Sequence, residues 1–112
     1  MSAITTHVLD TARGQPAAGM RVVLFQECEG SWKTLGEGRT DANGRCNTLM
    51  GDGPAESGTY RLIFYTAAYF EAQSVETFYP EVQVIFEARD PNAHYHVPLL
   101  ISPFGYSTYR GS

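Results

Sequence analysis

The sequence predicts an all-β fold, a two-sheet antiparallel β-sandwich of about eight short strands with one short helix. Three observations predict it. Apolar and polar residues alternate with period two through most of the chain, the signature of strands with one buried face. Gly, Pro, Asn and Asp interrupt that alternation every few residues, as turns do. Only one stretch, Thr66 to Val75, is written in helix-forming residues.

Ile4 to Leu9 reads as the first strand, ended by the turn-rich run from Asp10 to Gly19, where Gly14, Pro16 and Gly19 supply special backbone angles. The second spans Met20 to Gln26, with Val22 and Leu24 on one face and Val23 and Phe25 on the other. After Glu29-Gly30 a third strand runs from Ser31 to Arg39 and closes on the turn Asp41-Ala42-Asn43-Gly44. Arg45 opens a short fourth strand. Beyond the glycine-rich loop from Met50 to Gly58, Tyr60, Leu62 and Phe64 alternate with Arg61, Ile63 and Tyr65 in a fifth. Ala67, Ala68, Glu71, Ala72 and Gln73 favour a helix there, and Thr66 is placed to cap its exposed amides. Pro80 precedes a sixth strand with Val82, Val84 and Phe86 on one face, and Arg89-Asp90-Pro91-Asn92 turns the chain. His94 to Ser102 and Gly105 to Arg110 complete the set, separated by Pro103.

At 112 residues the chain has length for one domain, because a second core would leave each half too small to offset its own chain entropy. A hydrophobic fraction of 43% is ample for a packed interior. The formal net charge of −4 has no basic run behind it, which argues against nucleic acid and anionic membrane surfaces as partners. No apolar stretch approaches a membrane span, and the polar start from Met1 to Thr6 lacks the pattern of a secretory signal, so a soluble cytoplasmic protein is expected. In such a compartment Cys28 and Cys46 are expected as free thiols. Without CxxC or HxxxH spacing they do not form a metal site, and no cofactor is expected.

Three histidines draw attention by position. On a strand, His94 and His96 point to the same face, which Pro98 and Leu100 continue. His7 sits in the middle of the first strand, an inefficient place for a merely solubilising group. Spacing alone favours a polar outer face. Arg45, just past a turn, has the permanent charge and planar donors to hold a polarised oxygen, and as readily serves as an ordinary solvated arginine. The segment Tyr106 to Ser112 ends on polar groups; docked back on the sheet, it would bring Tyr109, Arg110 and Ser112 to one spot.

Other chemistries lack their parts. The glycine-rich loop near Gly51 has no following Lys-Ser or Lys-Thr and no helix, so it is no phosphate cradle. Glu27 and Glu29 stand at a strand end and read as solvation, not as a glycosidase pair. No nucleophile elbow singles out a serine.

The opening Thr5-Thr6-His7-Val8-Leu9-Asp10, followed by Gly14-Gln15-Pro16-Ala17, resembles the start of the transthyretin-like family. Tyr95-His96-Val97-Pro98-Leu99-Leu100-Ile101-Ser102-Pro103 and the final Tyr109-Arg110-Gly111-Ser112 look like two further signatures of its enzyme branch, and Asp41-Ala42-Asn43-Gly44-Arg45 matches as well. The hormone-carrying branch lacks that ending and the histidine set. The resemblance implies a single transthyretin-like (prealbumin) domain over residues 1–112, a sandwich of two four-stranded sheets, and a homotetramer built as a dimer of dimers with sites in a channel between subunits. It also implies hydrolysis of 5-hydroxyisourate, a labile product of urate oxidation, to 2-oxo-4-hydroxy-4-carboxy-5-ureidoimidazoline, without cofactor or metal. His7, Arg45, His96, Tyr109 and Ser112 match the family's active-site positions, Arg110 and Gly111 complete the tetrapeptide, and His94 is expected to support the site or face solvent.

That reaction needs a base for water, a stabiliser for the oxyanion and a proton donor for the leaving nitrogen. A neutral imidazole of His7 or His96 suits the base, since histidine's ordinary pKa near ~6.5 leaves it mostly unprotonated at neutral pH. Arg45 suits the oxyanion, and Tyr109 and Ser112 suit positioning of the ring. Which histidine is the base does not follow from the sequence. Two other readings use the same residues: a binding module that selects an aromatic ligand, and a structural sandwich that adheres through its edges.

Overall fold

The computed structural model describes residues 2–112; Met1, the first residue of the polar start, lies outside the described residues. The strands in chain order are β1 (Ile4–Asp10), β2 (Gln15–Pro16), β3 (Arg21–Cys28), β4 (Ser31–Arg39), β5 (Arg45–Cys46), β6 (Gly58–Phe64), β7 (Val82–Ala88), β8 (Tyr95–Ser102) and β9 (Gly105–Thr108), with one helix, α1 (Thr66–Glu71), between β6 and β7. They form two sheets. One runs β2-β1-β8-β9 with β5 also paired to β1, and the other runs β4-β3-β6-β7.

The two-residue β2 and β5 share one edge of β1, β2 at Leu9 and Asp10 and β5 at Thr6 and His7. Together they fill the fourth strand position, so each sheet is four strands wide. β2 falls within the run expected to be turn only; two residues show no alternation by which to see it.

The expected antiparallel arrangement holds for every pairing but one. β1 and β8 run parallel, with Thr5 opposite His96 and His7 opposite Pro98. Hairpins announce antiparallel pairs through their turns, whereas a parallel pair between distant segments has no such local signature. The β3–β4 hairpin illustrates the legible case: Glu29 and Gly30 both take positive φ, 51° and 81°, as a two-residue turn between twisted strands requires.

The core lies between the sheets. Val22, Leu24, Leu62 and Phe64 from one meet Ile4, Val8, Leu99 and Ile101 from the other, all fully buried. Each such side chain contributes about 1.5–3 kcal/mol by leaving water. The buried polar groups in this layer are satisfied: the Thr6 hydroxyl donates to the Val97 carbonyl at 2.6 Å, tying β1 to β8, and Thr40 donates to the Ala17 carbonyl at 2.6 Å. Asp10 accepts the backbone N–H of Ala12 and Arg13 and, at 2.9 Å, the hydroxyl of Tyr69, which joins the end of β1 to α1.

The helix differs from expectation in two ways. It ends at Glu71 instead of Val75, because Ser74 adopts a left-handed conformation (φ 59°) and the Val75 N–H turns back to the Phe70 carbonyl at 3.0 Å. Thr66 does not cap it. Its hydroxyl donates to the Tyr79 carbonyl at 3.3 Å, and the free amide of Ala67 donates to the Pro80 carbonyl, so the loop before β7 replaces a side-chain cap.

Candidate active site

Register carries the sequence candidates to one face. Residues directly opposite in paired strands point to the same side of a sheet, and alternate residues along a strand do likewise. His7 lies opposite Arg45 on β5 and opposite Pro98 on β8, and His96 lies opposite Thr5. Thr5, His7, Arg45, His96 and Pro98 therefore share the outer face of the β1–β8 sheet, while Ile4, Val8, Val97 and Leu99 turn into the core. His7 and His96 are half-buried and Arg45 is exposed, so the face is open to a ligand.

The Asp41-Ala42-Asn43-Gly44 turn sets Arg45. The Asp41 carboxylate accepts the backbone N–H of Asn43 at 2.9 Å and of Arg45 at 3.0 Å, and the Gly44 N–H donates to the Asp41 carbonyl. Gly44 has φ 78° and lies on β1, its carbonyl accepting the Val8 N–H at 2.8 Å; a Cβ there would overlap the Val8 carbonyl oxygen. The Arg45 amide, then the Asn43 amide, and the Arg45 and His7 charges hold the Asp41 carboxyl below its ordinary range despite some desolvation.

His96 is fixed on two sides. Its Nδ1 is hydrogen-bonded to the Thr5 hydroxyl at 2.8 Å, and that hydroxyl also reaches Nε2 of His94 at 3.2 Å. The two imidazoles stand 6.5 Å apart and nearly parallel. Behind the ring, the Gly111 N–H donates to the His96 carbonyl at 2.8 Å. Burial lowers the His96 pKa from histidine's usual value, and the charges of Arg45, His7 and His94 push the same way. A neutral imidazole whose Nε2 carries no proton can accept one.

The last residues are only partly gathered. Gly111 packs on His96, and Ser112 follows it, exposed. Arg110 turns elsewhere, its guanidinium 4.9 Å above the Tyr95 ring. Tyr109 and Arg110 line a cavity of about 230 Å³ with Ile85, Phe86, Tyr95 and His96, beside the β7 edge. A larger cavity of about 620 Å³, lined by Arg13, Arg21, Arg39, Tyr65 and Tyr69, contains none of the candidates. Thr5 and Asp41 join the site without having stood out as candidates in the sequence. Thr5 stands two residues before His7 and so shares its face, and an Asp opening an Asp-x-Asn-Gly turn is the signal for the second.

His94 stands just before β8 rather than within it, exposed, yet still reaches Thr5. Among the described residues no three His, Cys, Asp or Glu side chains gather as metal ligands. Cys28 is exposed and Cys46 buried, both free. No helix of the described residues is long and apolar enough to cross a membrane. The arrangement can offer a neutral imidazole, a second imidazole and a guanidinium to one small polar ligand.

Comparison with known proteins bears on this site. The model of the HIUase/Transthyretin family matches residues 4–111. A 5-hydroxyisourate hydrolase of Salmonella dublin is 48% identical over 109 residues, covering 97% of this chain and 80% of that protein. The solved Klebsiella pneumoniae 5-hydroxyisourate hydrolase superposes with a TM-score of 0.85 at 37% identity, over 97% of this chain and 98% of that one. Sea bream transthyretin, solved in complex with thyroxine, superposes with a TM-score of 0.91 at 32% identity, over 97% and 94%. Since the backbone matches both kinds of relative, the site must separate them.

Proposed function

From the premise that the chain belongs to the HIUase/transthyretin family, we propose that it is a cofactor-independent hydrolase that opens 5-hydroxyisourate with water, giving 2-oxo-4-hydroxy-4-carboxy-5-ureidoimidazoline in urate degradation. The observation that carries this reading is the shared sheet face of His7, Arg45 and His96, produced by the β1–β5 and β1–β8 registers.

In the proposed mechanism His96 or His7, neutral, takes a proton from water as it attacks the ring carbonyl. The lowered pKa of His96 supports its neutrality at pH 7. Arg45 balances the charge that develops on the carbonyl oxygen, a contribution of about 3–4 kcal/mol for a single well-placed donor. The imidazole then gives a proton to the departing nitrogen as the C–N bond breaks. Ser112 and Tyr109 hold the ring through their hydroxyls, and Arg110 and Gly111 set the path of that segment. The stacking of Arg110 on Tyr95 gives the segment an anchor.

A homotetramer, a dimer of dimers, belongs to the same proposal. β7 and β9 end their respective sheets with an open edge, and exposed Ile85 and Tyr106 lie on them. A second copy facing the His7–His96 face would turn an open surface into a channel that excludes bulk water. The cytoplasm is the proposed compartment, and free Cys28 suits its reducing conditions.

The likeness to a thyroxine-bound transthyretin favours a second reading, a carrier that holds an aromatic ligand on the same face. Absorbance separates the two. 5-Hydroxyisourate generated fresh from urate decays spontaneously. A hydrolase speeds that decay in proportion to its concentration, whereas a carrier slows it or leaves it unchanged, and that result would overturn the proposal.

A further inference from the structure

The Thr5 hydroxyl stands between two imidazoles, 2.8 Å from Nδ1 of His96 and 3.2 Å from Nε2 of His94, and ties His94 to a reaction that does not otherwise touch it. We propose that His94, Thr5 and His96 form a proton relay, in which solvent-exposed His94 resets the protonation of His96 through the Thr5 hydroxyl. The inference rests on the hydrolytic reading above. Thr5 and His94 are positioning residues in it, since each acts through His96.

The hydrogen-bond inventory restricts the arrangement. A hydroxyl has one proton to give, and each neutral imidazole has one nitrogen that donates and one that accepts. When the His96 Nδ1–H donates to Thr5, the hydroxyl is free to donate to Nε2 of His94, whose proton then sits on Nδ1. When the His94 Nε2–H donates to Thr5, the hydroxyl donates to Nδ1 of His96, whose proton then sits on Nε2. In both arrangements the two rings carry the same tautomer. The first leaves His96 Nε2 bare, ready to take a proton from water; the second arms it with a proton.

The interconversion balances. After Nε2 of His96 accepts a proton from water, the Nδ1 proton moves to the Thr5 oxygen, the hydroxyl proton moves to Nε2 of His94, and the Nδ1 proton of His94 leaves to solvent. One proton enters, one leaves, and no charge remains on either ring. The reverse sequence lets Nε2 of His96 give up its proton while His94 takes one from solvent.

The surroundings suit a relay. Thr5 is only 3% exposed, so water does not compete for its hydroxyl, whereas His94 faces solvent. The charged and titratable groups around His96 come from three elements: His7 on β1, Arg45 on β5 and His94 ahead of β8, with Tyr109 and Arg110 sharing its cavity. Three cationic or potentially cationic neighbours disfavour a lasting positive charge on His96, and a route that drains it answers that pressure.

The test has two arms on the 112-residue chain. In nitrogen-resolved NMR of the imidazoles, without substrate, His94 and His96 are expected to show the same tautomer, with the correlation lost in Thr5→Val and kept in Thr5→Ser. Opposite tautomers, with both rings donating to Thr5, would overturn the relay whatever the activity. In kinetics, His94→Ala and Thr5→Val should each lower kcat about tenfold in dilute buffer and shift its pH profile, with KM little changed. Thr5→Ser should restore the rate, and added imidazole should rescue His94→Ala. His94→Ala turning over like the parent chain in dilute buffer would also overturn the relay. A parent chain that fails to speed 5-hydroxyisourate decay would instead sink the hydrolytic reading, and the NMR arm would still decide whether the rings are coupled.

Discussion

Gly111 packs against the imidazole of His96: a Cβ built on it would stand 2.6 Å from Cδ2 of that ring and 3.2 Å from Cγ of Pro98. Thr5 meets His96 from the neighbouring strand β1 and Gly111 meets it through its own backbone bridge, which delivers Ser112 next to it in sequence. Gly111→Ala is therefore expected to push the last residues off the sheet, lowering kcat/KM for 5-hydroxyisourate about tenfold or more while the melting temperature moves little, since β8 and β9 keep their pairing. Steady-state rates beside a thermal melt check it.

Asp41 holds the backbone amides of Asn43 and Arg45, and through them the Arg45 backbone opposite His7. Asp41→Ala removes those acceptors without touching the substrate. The expected result is a several-fold loss in kcat, smaller than that of Arg45→Ala, with KM nearly constant. A crystal structure of the variant would show the turn from Asp41 to Gly44 relaxed away from β1.

The pH dependence has a definite sign. Burial, then Arg45, His7 and His94, depress the His96 pKa below histidine's ordinary ~6.5, so its base form survives into mildly acidic solution and the part of the acid limb of kcat/KM that His96 governs should lie below pH ~6.5. For stability, the unfolded chain binds the proton first on acidification. This histidine therefore contributes nothing above pH ~6.5 and progressively destabilises the fold as pH drops from there toward its folded pKa. His96→Asn should flatten that part of a stability-versus-pH curve measured by urea unfolding.

Tyr69 links α1 to the end of β1 by donating to Asp10, a carboxylate only 1% exposed. Tyr69→Phe leaves Asp10 with its two backbone donors but removes a bond to a charged acceptor, worth about 1.5–3 kcal/mol. Urea midpoints should fall accordingly with catalytic rates unchanged, because this contact lies away from the histidine face.

Much of this was legible in the residues, for physical reasons that also mark where legibility stops. Strands such as β3 and β6 declare themselves because one face is buried and period two follows. The helix end at Glu71 was not visible, since a serine, not a glycine, takes the left-handed position. His94 and His96 could be assigned to one side from spacing, but nothing local says that β8 lies parallel beside β1, and only that pairing brings His96 level with Thr5 and Pro98 level with His7. Family likeness supplied the set of residues, and the register supplies their meeting place. Thr5 is not legible in the sequence, because a threonine in a strand is ordinary until the imidazoles on either side of its hydroxyl are seen.

The proposed hydrolysis stands on His7 and His96 working on one water molecule as a unit. Its most direct measurement is kcat/KM of His7→Asn, His96→Asn and the double variant, each corrected for spontaneous decay of the substrate and confirmed folded by circular dichroism. Each single change should cost about two orders of magnitude or more, and the double variant should be scarcely worse than the poorer single, because a unit already broken has little left to lose. Losses that multiply in the double variant, or a single variant as fast as the parent chain, would contradict it.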